Sequence, residues 1–243
     1  MPAPMLIFGA HGGIGEALAR RLASRGHELY LTARDAASLA DVAEETGART
    51  AACDVMDADA IKTVVNDAAG DEGLAGLAYC VGSIVLKPLK SASEQDFIDC
   101  YRLNTVGAAL AVQAAAPALK KAHGSVVLFS TVAAQQGFGN HTVIAAAKGG
   151  VEALTRSLAT DLSPDVRVNC IAPSIHQTPL ADKLLSSQDM VDSLAGMHPL
   201  KRLGQADDSA AMAAFLLSGE ASWITGQIMP VDGGRGSLRI RGQ

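Results

Sequence analysis

The chain of 243 residues has few aromatic side chains, with one Trp, three Tyr and five Phe, and only four cysteines, Cys53, Cys80, Cys100 and Cys170. The thiols lie far apart and form no C-x-x-C pair, which argues against a disulfide framework or a zinc knuckle and reads as reduced core thiols of a cytoplasmic protein. The six histidines show no metal-ligand spacing, so no metal site is expected. No apolar run reaches the roughly 20 residues of a membrane span, and no basic stretch precedes an apolar one near Met1, so neither a membrane segment nor a secretory signal is expected. Net charge is −5 with the signs interspersed, which argues against nucleic acid or an anionic membrane as partner. No Pro- or Ser-rich linker and no internal repeat divides the chain, so residues 1–243 are expected to form one domain. Apolar residues make up 49%, ample material for its core.

What is present begins with Met5-Leu6-Ile7-Phe8 followed by Gly9-Ala10-His11-Gly12-Gly13-Ile14-Gly15. Four uncharged apolar residues predict a buried strand, and the glycines predict a tight turn. Leu18 and Leu22, four apart, predict a helix over Glu16–Ala23. Strand, glycine turn and helix together make a phosphate-binding unit, because glycines admit close backbone approach and a helix N-terminus carries partial positive charge. The same reading predicts strands over 28–33, 49–53, 77–81, 125–129, 166–171 and 227–231. Helices are predicted over 36–45, 59–69, 94–121 (bent near Asn104 and Gly107), 142–162 and 207–217. Strands and helices alternate, which predicts an α/β fold, a single Rossmann-type doubly wound parallel sheet with helices on both faces. Ligands bind beyond the carboxyl ends of such strands. The candidate site is therefore Gly9–Gly15, Arg34, Asp54, Gly82, Ser130 and Pro173–Thr178.

Along nearly its whole length the chain resembles the short-chain dehydrogenase/reductase family. Gly9-x-x-x-Gly13-Ile14-Gly15 matches the family's cofactor turn, and Asp54-Val55 its adenine-contacting pair. Asn104 matches its helical asparagine, Ser130 its catalytic serine, and Lys148 its lysine. Arg167–Pro173 and Val231-Asp232-Gly233-Gly234 complete the pattern. Three positions depart from it. Tyr79-Cys80-Val81-Gly82 stands where the family has two asparagines, an alanine and a glycine. Pro173-Ser174 replaces Pro-Gly, and Ile144 holds the place of the tyrosine four residues before the lysine.

The resemblance implies hydride transfer between a nicotinamide and a carbonyl/alcohol or enone substrate. Ser130 would hydrogen-bond the developing oxyanion, its alternative being a bond to nearby backbone. Lys148 would hold the ribose hydroxyls, the alternative being a surface lysine. Asn104 would hold a relay water, or else satisfy backbone at a helix bend. Ile144 has no proton to give. On a helix, His141 lies about two turns before Lys148 on the same side, where the enoyl-reductase branch of the family carries its tyrosine. His141, or a water held by Lys148 and Asn104, would then be the proton donor; a polar helix-start residue without a role is the alternative.

An NAD enzyme needs a carboxylate at the end of the second strand, whereas a 2′-phosphate needs positive charge. Here Ala33 is followed by Arg34, and His11 in the glycine turn would face the same pocket, so NADP(H) is expected over NAD(H). Val81, Gly82, Pro173, Ser174 and Thr178 complete the expected cofactor contacts, Thr178 toward the carboxamide or phosphates. Residues 174–205 would cover a small-molecule substrate, with Leu180, Leu184 and Leu185 on a lid helix and Met190, Leu194 and Met197 as further lining. His176 and His198 are polar candidates without a stated role. The family pattern implies a homotetramer or homodimer through the helices at 94–122 and 142–163 and the last strand, with the tail from Arg235 to Gln243 solvated or packed on a neighbour. A non-catalytic NADP(H)-binding sensor or partner subunit is the alternative function.

Overall fold

The computed structural model describes residues 2–239. Its centre is a seven-stranded, wholly parallel sheet ordered β3-β2-β1-β4-β5-β6-β9. These strands are β1 (Met5–Phe8), β2 (Leu29–Ala33), β3 (Arg49–Ala52), β4 (Gly76–Tyr79), β5 (Ser125–Phe129), β6 (Arg167–Pro173) and β9 (Ile228–Val231). A separate two-residue pair joins β7 (His176–Gln177) to β8 (Gly204–Gln205). The helices are α1 (Gly13–Ser24), α2 (Ala40–Thr46), α3 (Ala58–Ala69), α4 (Glu94–Tyr101), α5 (Gly107–Lys121), α6 (Thr142–Leu162), α7 (Gln188–Gly196) and α8 (Ala206–Leu217).

Strand alternation sorts the core. Leu6 and Phe8 of β1 join Val126 and Leu128 of β5 against α3, α5 and α6. Met5 and Ile7, with Val127 and Phe129, pack against α1, α2 and α8. Both faces are covered, so the strands read as continuous apolar runs rather than alternating ones. Each fully buried Leu, Ile or Phe contributes roughly 1.5–3 kcal/mol. The order reverses between β1 and β4, and the crevice beyond the carboxyl ends of these strands is where a ligand binds in such a sheet.

The expected helix over 94–121 is one rod interrupted by a π-helical turn at Arg102–Val106, which contains Asn104. The expected lid helix at Leu180–Leu185 is corrected. Only a 3₁₀ turn, Pro179–Ala181, forms there, and the helix of this region starts later, where Ser187 Oγ accepts from Met190 N–H. Among the described residues no helix is long and apolar enough to cross a membrane, and no group of His, Cys, Asp or Glu is placed to hold a metal.

Candidate active site

The glycine turn is built for close approach. Gly9 has φ +77°, and a methyl added there would lie 3.0 Å from the Val81 backbone nitrogen. A methyl on Gly15 would sit inside the contact radius of Gly9 O, and one on Gly13 would lie 2.7 Å from Thr178 Cγ2. Gly12 caps α1 without a side chain, so the first N–H groups of the helix face the crevice without a capping acceptor. Thr178 packs against Gly13 at this turn. A nucleotide pyrophosphate fits this cradle of glycines and open amides. At the end of β2 Arg34 is exposed and has no ion-pair partner among the described residues. The Asp35 carboxylate beside it is used in capping, accepting from Ala37 N–H at 2.9 Å. Asp54 is exposed beyond β3, where its Oδ1 accepts from Met56 N–H at 2.9 Å, and Val55 is buried. His11 is exposed on the glycine turn.

Asn104 and Lys148 converge beside Gly82. A methyl on Gly82 would lie 3.3 Å from Asn104 Oδ1 and 3.3 Å from Lys148 Nζ, so the two groups flank one small space. Asn104 Nδ2 donates to Cys100 O at 2.9 Å and to Ser83 Oγ at 3.0 Å, which fixes the amide with Oδ1 toward Gly82. Such π turns recur at functional sites because they displace backbone groups from the helical ladder. Tyr79, one of the departures from the family pattern, serves this turn: its hydroxyl donates to Leu103 O at 2.8 Å, and Gly107 leaves room for it. Lys148 is buried and donates to Phe129 O at 2.8 Å. Burial pushes its ammonium down to about 8, opposed by the thiols of Cys170, Cys100 and Cys80.

Ser130 and Thr131 differ in what their hydroxyls bond. Along β5, Val126, Leu128 and Ser130 share the face toward α6, and the Ser130 hydroxyl points into that packing, donating to Glu152 Oε1 at 2.9 Å with Lys148 O at 3.2 Å. The next residue, Thr131, lies in extended backbone (φ −158°, ψ 149°), and it lines the cleft together with Ser130. Its Oγ1 accepts from Ala133 N–H at 3.3 Å, and its proton has no acceptor among the described residues. Ile144 is buried and borders the same cleft among Val143, Ala147 and Cys100. His141 sits at the N-cap of α6 and lines the cleft with Lys148. Its Nδ1 contacts Gly139 O at 2.7 Å; since a carbonyl only accepts, Nδ1 carries a proton and Nε2 is the acceptor of the neutral ring.

Comparisons with known proteins bear on the family of the whole chain. A family model described as enoyl-(acyl carrier protein) reductase matches residues 9–235. A tropinone reductase homolog of Arabidopsis thaliana is 32% identical, covering 94% of this chain and 89% of the relative. A 3-oxoacyl-[acyl-carrier-protein] reductase of Mycobacterium bovis is 30% identical, covering 96% and 92%. A short-chain type dehydrogenase/reductase from Mycobacterium ulcerans superposes with a TM-score of 0.91 at 28% identity, covering 98% of this chain and 92% of that one. The chain belongs to the short-chain dehydrogenase/reductase family. It is thereby an oxidoreductase by descent, and the cofactor of that family is a nicotinamide dinucleotide.

Relative to other short-chain dehydrogenases/reductases, the lid end holds what the sequence left unassigned. Ser174, in place of the usual glycine, donates to His198 Nε2 at 2.8 Å, while His198 Nδ1 donates to Leu194 O at 2.8 Å. The end of β6 is thus tied to α7. His176 donates from Nδ1 to Ser174 O at 2.9 Å and accepts from Ser209 Oγ at 2.9 Å, its ring packed where Gly204 has no side chain. Burial lowers the pKa of both histidines. The cleft, about 410 Å³, is closed by Leu180, Leu184, Met190 and Leu194. Arg235, also on its wall, was expected only as part of a tail; Ile240, Arg241, Gly242 and Gln243 of that tail lie outside the described residues.

Proposed function

We propose that this chain is an NADP(H)-dependent oxidoreductase acting on a carbonyl, alcohol or enone, with a proton carrier other than tyrosine. The observation that carries the reading is the convergence of Asn104 Oδ1 and Lys148 Nζ on the space beside Gly82, in line with the glycine turn. When bound, the nicotinamide supplies or accepts the hydride. Lys148, which donates to Phe129 O, would hold the ribose hydroxyls, and its charge would favour the ionised form of a nearby acid. The Thr131 hydroxyl donates to the substrate oxygen as it gains charge, the kind of preorganised hydrogen bond that is commonly the largest catalytic contribution. The proton comes from protonated His141 or from a water held between Asn104 and Lys148. With Nδ1 fixed by Gly139 O, His141 Nε2 is the nitrogen left to exchange it.

Arg34, exposed and without an ion-pair partner among the described residues, supports NADP(H) over NAD(H), and the Asp35 carboxylate next to it caps a turn. A fluorescence titration with both cofactors tests this, and tighter binding of NADH refutes the preference. Buried Ile144 supports a second reading, a cofactor-binding sensor or partner subunit without turnover. Comparing His141→Ala with the parent on an active substrate decides the histidine's part: unchanged turnover leaves only the water. We further propose a soluble cytoplasmic homodimer or homotetramer, supported by the apolar groove of Phe97, Ile98, Tyr101 and Val143, on which Ile98 and Tyr101 are about half exposed. Sedimentation of the purified chain tests it, a monomer being the contrary result.

A further inference from the structure

The chain carries a net charge of −5, yet its cleft is lined by Lys148, Lys183 and Arg235 and by no aspartate or glutamate. Two of these cations have evident uses or positions: Lys148 beside the cofactor space, Lys183 exposed on the lid. Arg235 is different. It is half-buried, and its guanidinium lies 4.5 Å above the Phe138 ring, whose edge in turn meets His141 at a centroid distance of 5.4 Å. Its one side-chain hydrogen bond among the described residues is to the weak acceptor Met197 Sδ, at 3.5 Å. Five N–H donors on a half-buried wall, with one weak acceptor and no ion pair among the described residues although Asp232 is near, are an invitation to an oxyanion.

The presentation is built rather than incidental. Asp232 turns its carboxylate inward, accepting from Gly234 N–H at 2.8 Å and Gly236 N–H at 2.7 Å, so it holds the turn that carries Arg235 instead of pairing with the guanidinium. Gly233 and Gly234 take the positive φ values, +61° and +86°, that this turn requires. Gln136 fastens the other side by donating to Gly236 O at 2.6 Å. Nor does Arg235 serve the cofactor phosphates. It follows β9, which is four strand positions from β1 and its glycine turn, about 19 Å at ~4.8 Å per strand.

We propose that Arg235 is the anion-recognition group of the substrate site, and that the substrate is an apolar carbonyl or alcohol compound bearing an oxyanion, a carboxylate or a phosphate. This rests on the oxidoreductase reading for the word substrate, but not for the binding itself. Phe138 orients the guanidinium, the lid leucines and Met190 cover the apolar body, and the reacting carbon lies toward Thr131 and Lys148. Stacking on a ring leaves the edge of the guanidinium, where its donors are, free for bidentate capture.

The test is binding of octanoate, octyl phosphate and octanol to the full-length protein loaded with NADP+, followed by calorimetry, with an NADPH titration on the same preparation. The expected result is at least tenfold tighter binding of one or both anions than of octanol. That preference disappears in Arg235→Gln, persists in part in Arg235→Lys, and falls less in Lys183→Gln. The tighter of the two anions identifies the head group. Equal binding of all three probes, or a preference that survives in Arg235→Gln, overturns the proposal. NADPH binding without anion preference overturns the anion subsite alone. Anion preference without binding of NADPH or of NADH upholds the subsite and overturns nicotinamide-dependent turnover instead.

Discussion

At the glycine-turn end of the cleft the surface is backbone: the amides at the start of α1, packed close by Gly13 and the buried Gly15, and the space beside Gly82. At the lid end it is side chain: Leu180, Leu184, Met190 and Leu194 above, Phe138 and Arg235 at the wall. The first end is intolerant of added atoms, because a backbone cannot move aside. The second tolerates exchange, because unbranched and exposed side chains repack at small cost. One end therefore serves a fixed ligand and the other is free to be tuned to a particular substrate.

The sharpest way to break that contrast is to add one methyl at the rigid end. Gly15→Ala places a Cβ against Gly9 O and Ala10 Cα, so NADPH affinity is expected to fall at least 100-fold and stability by about 1–3 kcal/mol, the usual range for overpacking. Met190→Ala, which removes more atoms at the lid end, is expected to leave NADPH affinity within about threefold while raising substrate KM. Titration and thermal melting of both variants check this; a Gly15→Ala protein that binds NADPH normally ends the distinction.

Next in size is the pair of adjacent hydroxyls. Thr131→Ala is expected to lower kcat by about 10²–10³, the scale of losing one oxyanion donor. Ser130→Ala removes a buried bond to Glu152 and is expected to cost about 1 kcal/mol of stability with kcat nearly unchanged. A reversed pattern would return the catalytic role to Ser130.

How much of this was legible follows the same division. Buried strands announce themselves as short apolar runs, and a glycine whose Cβ has no room announces itself as a glycine. The sheet, its doubly wound order and the glycine turn were therefore readable residue by residue. Asn104 was placed at a bend that proves to be a π turn. That the Ser130 hydroxyl bonds toward α6 also had a signal, its parity with Val126 and Leu128 along β5. The lid misled because Leu180, Leu184 and Leu185 have helical spacing, while the stretch that holds a helix begins at the Ser187 cap. Arg235 and His198 gave no local sign. Arg235 matters because it stacks on Phe138, far back in the chain, and His198 because it meets Ser174; no window along the sequence contains either contact.

Ile144→Tyr asks whether the fixed end is complete but for its acid. A phenol at that position faces the cleft beside Lys148 and Thr131. The expected outcome is a gain of about 10- to 100-fold in NADPH-dependent reduction of simple carbonyls, at the lower edge of what a positioned general acid contributes. The gain should be smaller in a Thr131→Ala background. No gain, with NADPH binding intact, favours the sensor reading.

The smallest effect is the one that reports on Lys148 itself. With the folded-state pKa held down to about 8 by burial and an unfolded value near 10.5, the folded chain binds fewer protons than the unfolded chain between those limits. Stability then rises with pH in that window and the charged form is the penalised one, by about 3 kcal/mol in total. Cofactor binding runs the opposite way, since the ribose hydroxyls and phosphates favour the ammonium. NADPH affinity is expected to weaken about tenfold from pH 7 to pH 9.5 while the cofactor-free protein gains stability from this group. The buried thiols oppose that gain, because burial raises their pKa values and their contribution to stability declines as pH rises through the alkaline range. The comparison with Lys148→Met isolates the lysine: the difference in denaturation free energy between the two proteins should slope upward between pH 8 and 10.5, and the pH dependence of NADPH binding should flatten in the variant. A difference curve without slope would mean that Lys148 keeps its proton in the folded state, and that the space beside Gly82 is wetter than its burial implies.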